Sequence, residues 1–193
     1  MPVTTRDSAA AERIRQAAIA SFAEVGYGGT STRQIAKRLN MSAAAMYPHY
    51  KSKEELLYVI ALDGHRGVLS ALREADDDAL PAADRLRTVI EVFTRWQAEH
   101  HELAKVVQYE LHGLTREHYR TITAIRRETS AVLATIVQGG IDSGEFTVAV
   151  ADDAVLALSS LCVDVCRWFP SRTHRDPVAL GRAYGELAVR MVR

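Results

Sequence analysis

Between Thr32 and Lys53 the chain gathers side chains suited to one kind of chemistry, the non-covalent recognition of a polyanion with readable edges. Arg33 carries the planar donor fork that matches the O6 and N7 acceptors of a guanine edge. Thr32, Tyr47, His49 and Lys53 supply the hydroxyl, imidazole and ammonium donors that hold phosphate oxygens. Ser42, Ala43 and Ala44 are small enough for a backbone to approach a groove floor, and an alanine there can touch a thymine methyl. Covalent chemistry finds no comparable constellation. No nucleophile elbow, HExxH or phosphate-cradling glycine loop occurs. His100 and His101, adjacent on one helix, point to different faces. Cys162 and Cys166, four apart, lack further ligands at zinc spacing and read as small core residues. The chain is therefore expected to have no catalytic residue, no metal site and no cofactor.

Such a reader needs elements that hold it rigid, and the apolar spacing supplies them. Ala10 to Val25 reads as a first helix with Ile14, Ala18, Ile19 and Phe22 on one face. Gly26 offers a left-handed stop. Ser31 or Thr32 caps a second helix that runs through Leu39, with Ile35, Ala36 and Leu39 turned inward. Asn40 tolerates the left-handed conformation that would end it. Ser42 caps a very short third helix, Ala43 to Tyr47, closed by Pro48. Two short helices with a tight turn between them form a brace and a reader, so Ile35, Leu39 and Met46 belong to the core and take no contact. Ser52-Lys53-Glu54-Glu55 reads as a capping box opening a long fourth helix towards Ala75, closed by Asp76-Asp77-Asp78 and Pro81.

Beyond Pro81 the same periodicity marks five more helices. Leu86, Val89, Ile90, Phe93 and Trp96 belong to the fifth, and Leu103, Val106, Val107 and Leu111 to the sixth. Ile122 to Ile136 marks a long seventh. Asp152 is expected to cap an eighth through about Trp168, and Asp176-Pro177 to open a ninth to Met191. No segment alternates long enough to be a strand. The fold class is all-α: an N-terminal three-helix helix-turn-helix domain over residues 1–52, then a larger helical domain over 53–193.

Composition agrees with a soluble globular protein, with 48% apolar and 25% charged residues. The opening residues show no secretory signal, and the most apolar run, Val155 to Val165, is too short and interrupted to cross a bilayer. A cytoplasmic protein without a membrane role is expected. Net charge is zero, but residues 1–60 hold 8 Lys and Arg against 5 Asp and Glu, while the remainder holds 16 against 19. A basic head on a mildly acidic body suits DNA at one end, because phosphate binding needs local cations only.

Residues 10–60 resemble the DNA-binding domain of the TetR family of repressors, through Phe22, Gly26, Thr30, Ile35, Ala36, Leu39, Ser42, Met46, Tyr47, His49, Tyr50, Lys53 and Leu56 in order. The resemblance implies an all-helical homodimer of about nine helices per chain, released by a small-molecule inducer from double-stranded, palindromic operator DNA. It carries the family's DNA contacts onto Thr32, Arg33, Ala43, Ala44, Tyr47, His49 and Lys53. Asn40 stands where the family usually has glycine. Ala43 and Ala44 replace bulkier or more polar residues, which shifts weight from direct base readout to DNA shape. The long fourth helix, starting beside the phosphates at Lys53, is the expected lever between ligand and DNA.

In the second half, Trp96, Tyr109, His112, Tyr119, Arg126 and Trp168 are the candidate neighbours of a ligand pocket. Glu110 to Thr115, Gly144-Glu145-Phe146 and Arg167 to Pro170 are similar to a subgroup of these repressors that controls fatty-acid or steroid breakdown. That resemblance implies an acyl-CoA thioester as inducer, with Arg126, Arg127 or Arg167 for its anionic tail. The stripes Val155, Leu158, Cys162 and Val165, and Leu180, Tyr184 and Leu187, are the candidate dimer interface, as a four-helix bundle with the symmetry mate. The competing expectation is a helical small-molecule or lipid-binding protein without a DNA role.

Overall fold

The computed structural model describes residues 5–193. Its helices are α1 (Thr5–Gly29), α2 (Thr32–Arg38), α3 (Lys53–Ala75), α4 (Ala82–Glu99), α5 (His101–Tyr109), α6 (Arg116–Asp142), α7 (Ala151–Trp168) and α8 (Pro177–Val192), with 3₁₀ turns at Ala43–Met46 and Leu111–Gly113. No strand occurs among the described residues. The third helix expected from sequence is the first of the 3₁₀ turns: Ser42 caps it by accepting from the Ala45 N–H, and Pro48 limits its extension.

The caps explain most boundaries. Ser31 and Gln34 form a complete capping box at the start of α2. Ser52 accepts from the Glu55 N–H, but Glu55 reaches past Ser52 to the Lys51 N–H (2.6 Å). Asp176 accepts from the Val178 and Ala179 N–H groups, with Pro177 following it. Asp152 does not cap α7. The helix starts at Ala151 with Val150 in the N-cap position, two residues earlier than such a cap would place it, which leaves Asp152 and Asp153 in its first turn, where they complement the helix dipole instead. Asn40 adopts φ 54°, the left-handed stop expected of it. Gly26 also has positive φ, at 78°, but with ψ 163° it kinks the chain and a further helical turn follows to Gly29.

Two large apolar clusters hold the molecule. The first joins α1, α2 and the first 3₁₀ turn, through Ile14, Phe22, Ile35 and Met46, to Leu57 and Ile60 of α3, Val106 of α5 and Ile122 of α6. The second packs α4 against α3, α6, α7 and α8 through Leu72, Ile90, Phe93, Leu133, Leu158 and Val189. The α4–α8 contact is the tightest backbone approach. Gly181 and Gly185 lie one turn apart on α8, and a Cβ on either would stand 2.7 Å from the carbonyl oxygens of Glu91 or Arg87.

Candidate nucleic-acid interface and ligand cavity

The α2–turn pair is set on its core by Ile35, Ala36 and Met46, all buried. The Tyr50 hydroxyl fastens the far side of the turn by donating to the Ala11 carbonyl (3.1 Å). On the outward side Arg33 and Ala44 are exposed, Thr32, Ala43 and His49 are half-buried, and Tyr47 is 53% exposed. Ser42 is exposed, with its hydroxyl occupied as the cap of the turn. The residues expected to meet DNA therefore lie along one connected stretch at the rim of α2 and the turn.

Lys53 differs from a free surface cation. Its Nζ donates to the Tyr27 and Thr30 carbonyls, both at 2.8 Å, and sits 4.0 Å from the centre of the Tyr27 ring. It thus closes the last turn of α1 against the N-terminus of α3, with one of three ammonium protons left for an outside acceptor.

A cavity of about 280 Å³ lies among α3, α4, α5, α6 and α7. Val68, Phe93, Val107 and Val163 make its apolar wall, and His65, Gln97, Gln108, Thr129, Ser159 and Ser160 add polar groups. Of the residues expected there, Trp96 and Arg126 line it. The other four do not. Tyr109 ends α5 on the outside, in a surface groove with Leu161, Tyr184 and Met191, because Val106 and Val107 take the inward register. His112 is exposed on the second 3₁₀ turn. Tyr119 lies in a surface depression with Thr123, Arg126, Arg127 and Ser130 that adjoins the cavity at Arg126 and Ser130. Trp168 packs on Phe169 and His174, and Arg167 is held by Asp164 (2.7 Å).

The missed residues had a signal: each of His65, Gln97 and Thr129 is polar in an otherwise inward apolar register. Burial holds the His65 imidazole down at about 4, helped by the Arg126 charge and opposed by its bond to the Ala61 carbonyl, so the ring is neutral at pH 7. Burial has the opposite effect on the thiols, pushing Cys162 up to about 12 and Cys166 to about 11. Neither offers a thiolate. Among the described residues no group of three or more His, Cys, Asp or Glu could hold a metal ion. Nor is any helix among them long and apolar enough to cross a membrane.

Of the dimer stripes read from sequence, Leu187 is exposed and Tyr184 half-buried, while the other residues turn inward. Val155, Leu158, Cys162, Val165 and Leu180 are buried within the chain's own core. The large apolar side chains that α7 and α8 turn outward are Leu156, Leu161, Val178, Leu187 and Met191, with Tyr184 half-buried. A helix packed on its own protomer spends its most apolar stripe there, and periodicity alone could not separate the two faces.

The helices that wall the cavity also grip the N-terminal head and the first turn of α3. From α5, the Lys105 Nζ donates to the Ala23 carbonyl (3.0 Å). Just after α5, the Glu110 carboxylate accepts the Tyr27 N–H (2.9 Å). At the start of α6, the Thr115 N–H (2.9 Å) and His118 Nδ1 (2.8 Å) both bond Glu54 of α3, and the His118 ring stacks on Tyr58 at 3.7 Å.

A rigid helix-turn-helix rim tied to a helical body with an internal cavity is the architecture of a ligand-controlled DNA-binding regulator, and the comparisons agree. Residues 14–59 match the bacterial regulatory proteins of the tetR family, and residues 79–192 match the tetracyclin repressor-like C-terminal domain. The chain belongs to the TetR family of bacterial transcriptional regulators. A tetR-family regulatory protein from Rhodococcus RHA1 is 48% identical, with a TM-score of 0.91 over 95% of this chain and 96% of that one. The fatty acid metabolism regulator protein of Bacillus subtilis (strain 168) is 28% identical over 92% of both chains. The structure of FadR from Bacillus subtilis in complex with stearoyl-CoA is 26% identical, with a TM-score of 0.73 over 94% of this chain and 99% of that one.

Proposed function

We propose that this regulator is a cytoplasmic repressor that holds a palindromic operator as a homodimer and releases it when an acyl-CoA thioester enters the cavity. The observation that carries this reading is the double role of α5. Ala104, Val107 and Gln108 of that helix line the cavity, while Lys105 and, one residue past its end, Glu110 bond α1 and Tyr27. A ligand that moves α5 acts directly on the DNA-binding head, so α5 joins α3 as a lever. The thioester class draws support from the stearoyl-CoA complex of the FadR relative. Arg126 and Arg127, beside the cavity mouth, would meet the anionic tail.

In this reading residues 1–52 bind DNA and 53–193 bind ligand and partner, with no covalent chemistry of the chain's own. Arg33 reads a base edge from the rim of α2. Thr32, Tyr47, His49 and the remaining proton of Lys53 hold phosphates, while Ser42, Ala43 and Ala44 face the groove floor. The outward residues Leu161, Tyr184, Leu187 and Met191 form the dimer face. The two heads must stand roughly 34–36 Å apart to enter successive major grooves. Moving occupancy from nearly full to nearly empty requires a ligand preference of about 10⁴ between the two forms.

The test is selection of genomic fragments by the purified protein at near-physiological salt, with and without octanoyl-CoA and stearoyl-CoA. Enrichment of one palindromic site, lost on adding a thioester, is expected. Enrichment that no thioester touches refutes the inducer class and keeps the regulator. No enrichment from a folded dimer refutes the DNA role and favours a small-molecule or lipid-binding protein.

A further inference from the structure

The bottom of the cavity is more polar than a long alkyl chain requires. Gln97 of α4 is 7% exposed and His65 of α3 is 8% exposed, so both are more than nine-tenths buried, and both line the cavity. The Gln97 carboxamide makes no hydrogen bond to any described residue. Among the described residues no buried side-chain polar atom is sealed away without a partner, so the free donor and acceptor of Gln97 border the cavity.

His65 is more specific still. Its Nδ1 lies 2.8 Å from the Ala61 carbonyl, which can only accept, so the proton is on Nδ1. Nε2 is then a bare lone pair, and by the same reasoning it borders the cavity. A lone pair there accepts a bond from a hydroxyl and repels a carboxylate or a ketone oxygen. The cation, Arg126, is on the mouth side, where the cavity meets the surface depression. This arrangement suits an anionic group outside and a neutral donor deep.

Size sets a second limit. A cavity of about 150 Å³ takes up the six carbons of benzene, so about 280 Å³ encloses roughly eleven carbons, too few for an eighteen-carbon chain.

We propose that the cavity selects a compact acyl group of about eight carbons bearing a hydroxyl, which donates to His65 Nε2 and bonds the Gln97 carboxamide. The selection rests on the ligand-controlled reading above, and assigns His65 and Gln97 as its specificity residues. A pocket built around a hydroxyl discriminates against the analogue without one, because that analogue leaves buried polar groups unpaired.

The test is calorimetric titration of the full-length protein with octanoyl-CoA, 3-hydroxyoctanoyl-CoA, 5-hydroxyoctanoyl-CoA, 3-oxooctanoyl-CoA and stearoyl-CoA. The same series is repeated on Gln97→Leu and His65→Leu. At least one hydroxylated thioester is expected to bind wild type about tenfold or more tighter than octanoyl-CoA and 3-oxooctanoyl-CoA. In both variants the advantage collapses while octanoyl-CoA still binds. Gln97→Leu is also expected to raise the thermal midpoint of the ligand-free protein, because it removes a buried amide that no protein group satisfies. Binding of octanoyl-CoA with no preference for a hydroxyl, tightest binding by stearoyl-CoA, or an advantage that survives in both variants overturns the selection and leaves ligand control standing. Binding of none of the five overturns the thioester reading as well.

Discussion

Replacing His65 with leucine is expected to flatten the acid side of the stability curve. In the folded chain the imidazole is held near 4, with burial the largest cause and Arg126, facing it from α6, adding to it. In the unfolded chain it titrates at its ordinary value of 6.5. The unfolded state therefore takes up the proton first as pH falls. Stability is complete above pH 6.5 and is lost progressively as pH drops from 6.5 towards 4. A difference of two to three pKa units corresponds to about 3 kcal/mol at most. The Leu variant keeps the volume and orphans nothing, because the Ala61 carbonyl retains its helical bond within α3. The assay is urea unfolding of both proteins at one protein concentration, from pH 7.5 to 4.5, since a dimer's stability depends on concentration. Carboxylates that titrate in the same window, such as Glu145, whose bonds from the Ala83 and Ala82 N–H groups lower it, act equally in both proteins and cancel. Wild type should lose about 2–3 kcal/mol more than His65→Leu between pH 6.5 and 4.5. Parallel curves would refute the burial of a neutral ring, and with it the deep acceptor on which the ligand selection stands.

Arg33→Ala is expected to weaken binding to the selected operator by about 1–3 kcal/mol, or roughly five- to 150-fold, measured by fluorescence anisotropy. Equal loss on unrelated DNA would reduce Arg33 to a phosphate contact. Gly181→Ala should cost about 1–3 kcal/mol in chemical denaturation, because its Cβ would stand 2.7 Å from the Glu91 carbonyl oxygen and force α8 off α4. An unchanged midpoint would mean that the helices slide apart freely. Leu161→Glu with Leu187→Glu should leave a folded monomer in sedimentation, since both side chains point outward. A dimer that survives the double change uses another face.

The head was legible because its signals are local. Caps, a left-handed Asn40 and an ordered run of motif residues each act within a few positions, and they fixed α2, the short turn and the start of α3 without reference to the rest of the chain. The body was legible as helices but not as a site. Its cavity is made by five helices, so membership depends on how each is rotated, which sequence spacing gives only to within one face. Aromatic size was a poor guide: Tyr109 and Tyr119 are large but exposed. Polarity in an inward register was the better signal, and it marked His65, Gln97 and Thr129. Lys53 shows the same limit from the other side. Its place in the motif was plain, but its two bonds to the end of α1 depend on the kink at Gly26, which only the folded chain reveals.

The energetics of the seam favour a switch of moderate size. Full reversal of occupancy needs about 5.5 kcal/mol of differential binding. A ligand body of about nine atoms is capped at about 1.5 kcal/mol per atom and in practice yields much less, so only part of its energy can be spent on moving the protein. The seam it must shift is narrow. Two bonds join the α5 region to Ala23 and Tyr27 of α1, and each, partly open to solvent, is worth at most about 1.5–3 kcal/mol. The α5 helix is only nine residues long and rides on α3 at Gly64, where a Cβ would already press on Val107 at 3.3 Å. A short helix with its cavity face at Ala104, Val107 and Gln108 cannot yield to a ligand without straining Lys105 and Glu110. Two such bonds hold roughly what a compact ligand can spend, whereas the buried cluster beneath the head is too large for it to break. On the proposed reading the ligand is therefore expected to tilt the head as a body and to leave the reading surface intact.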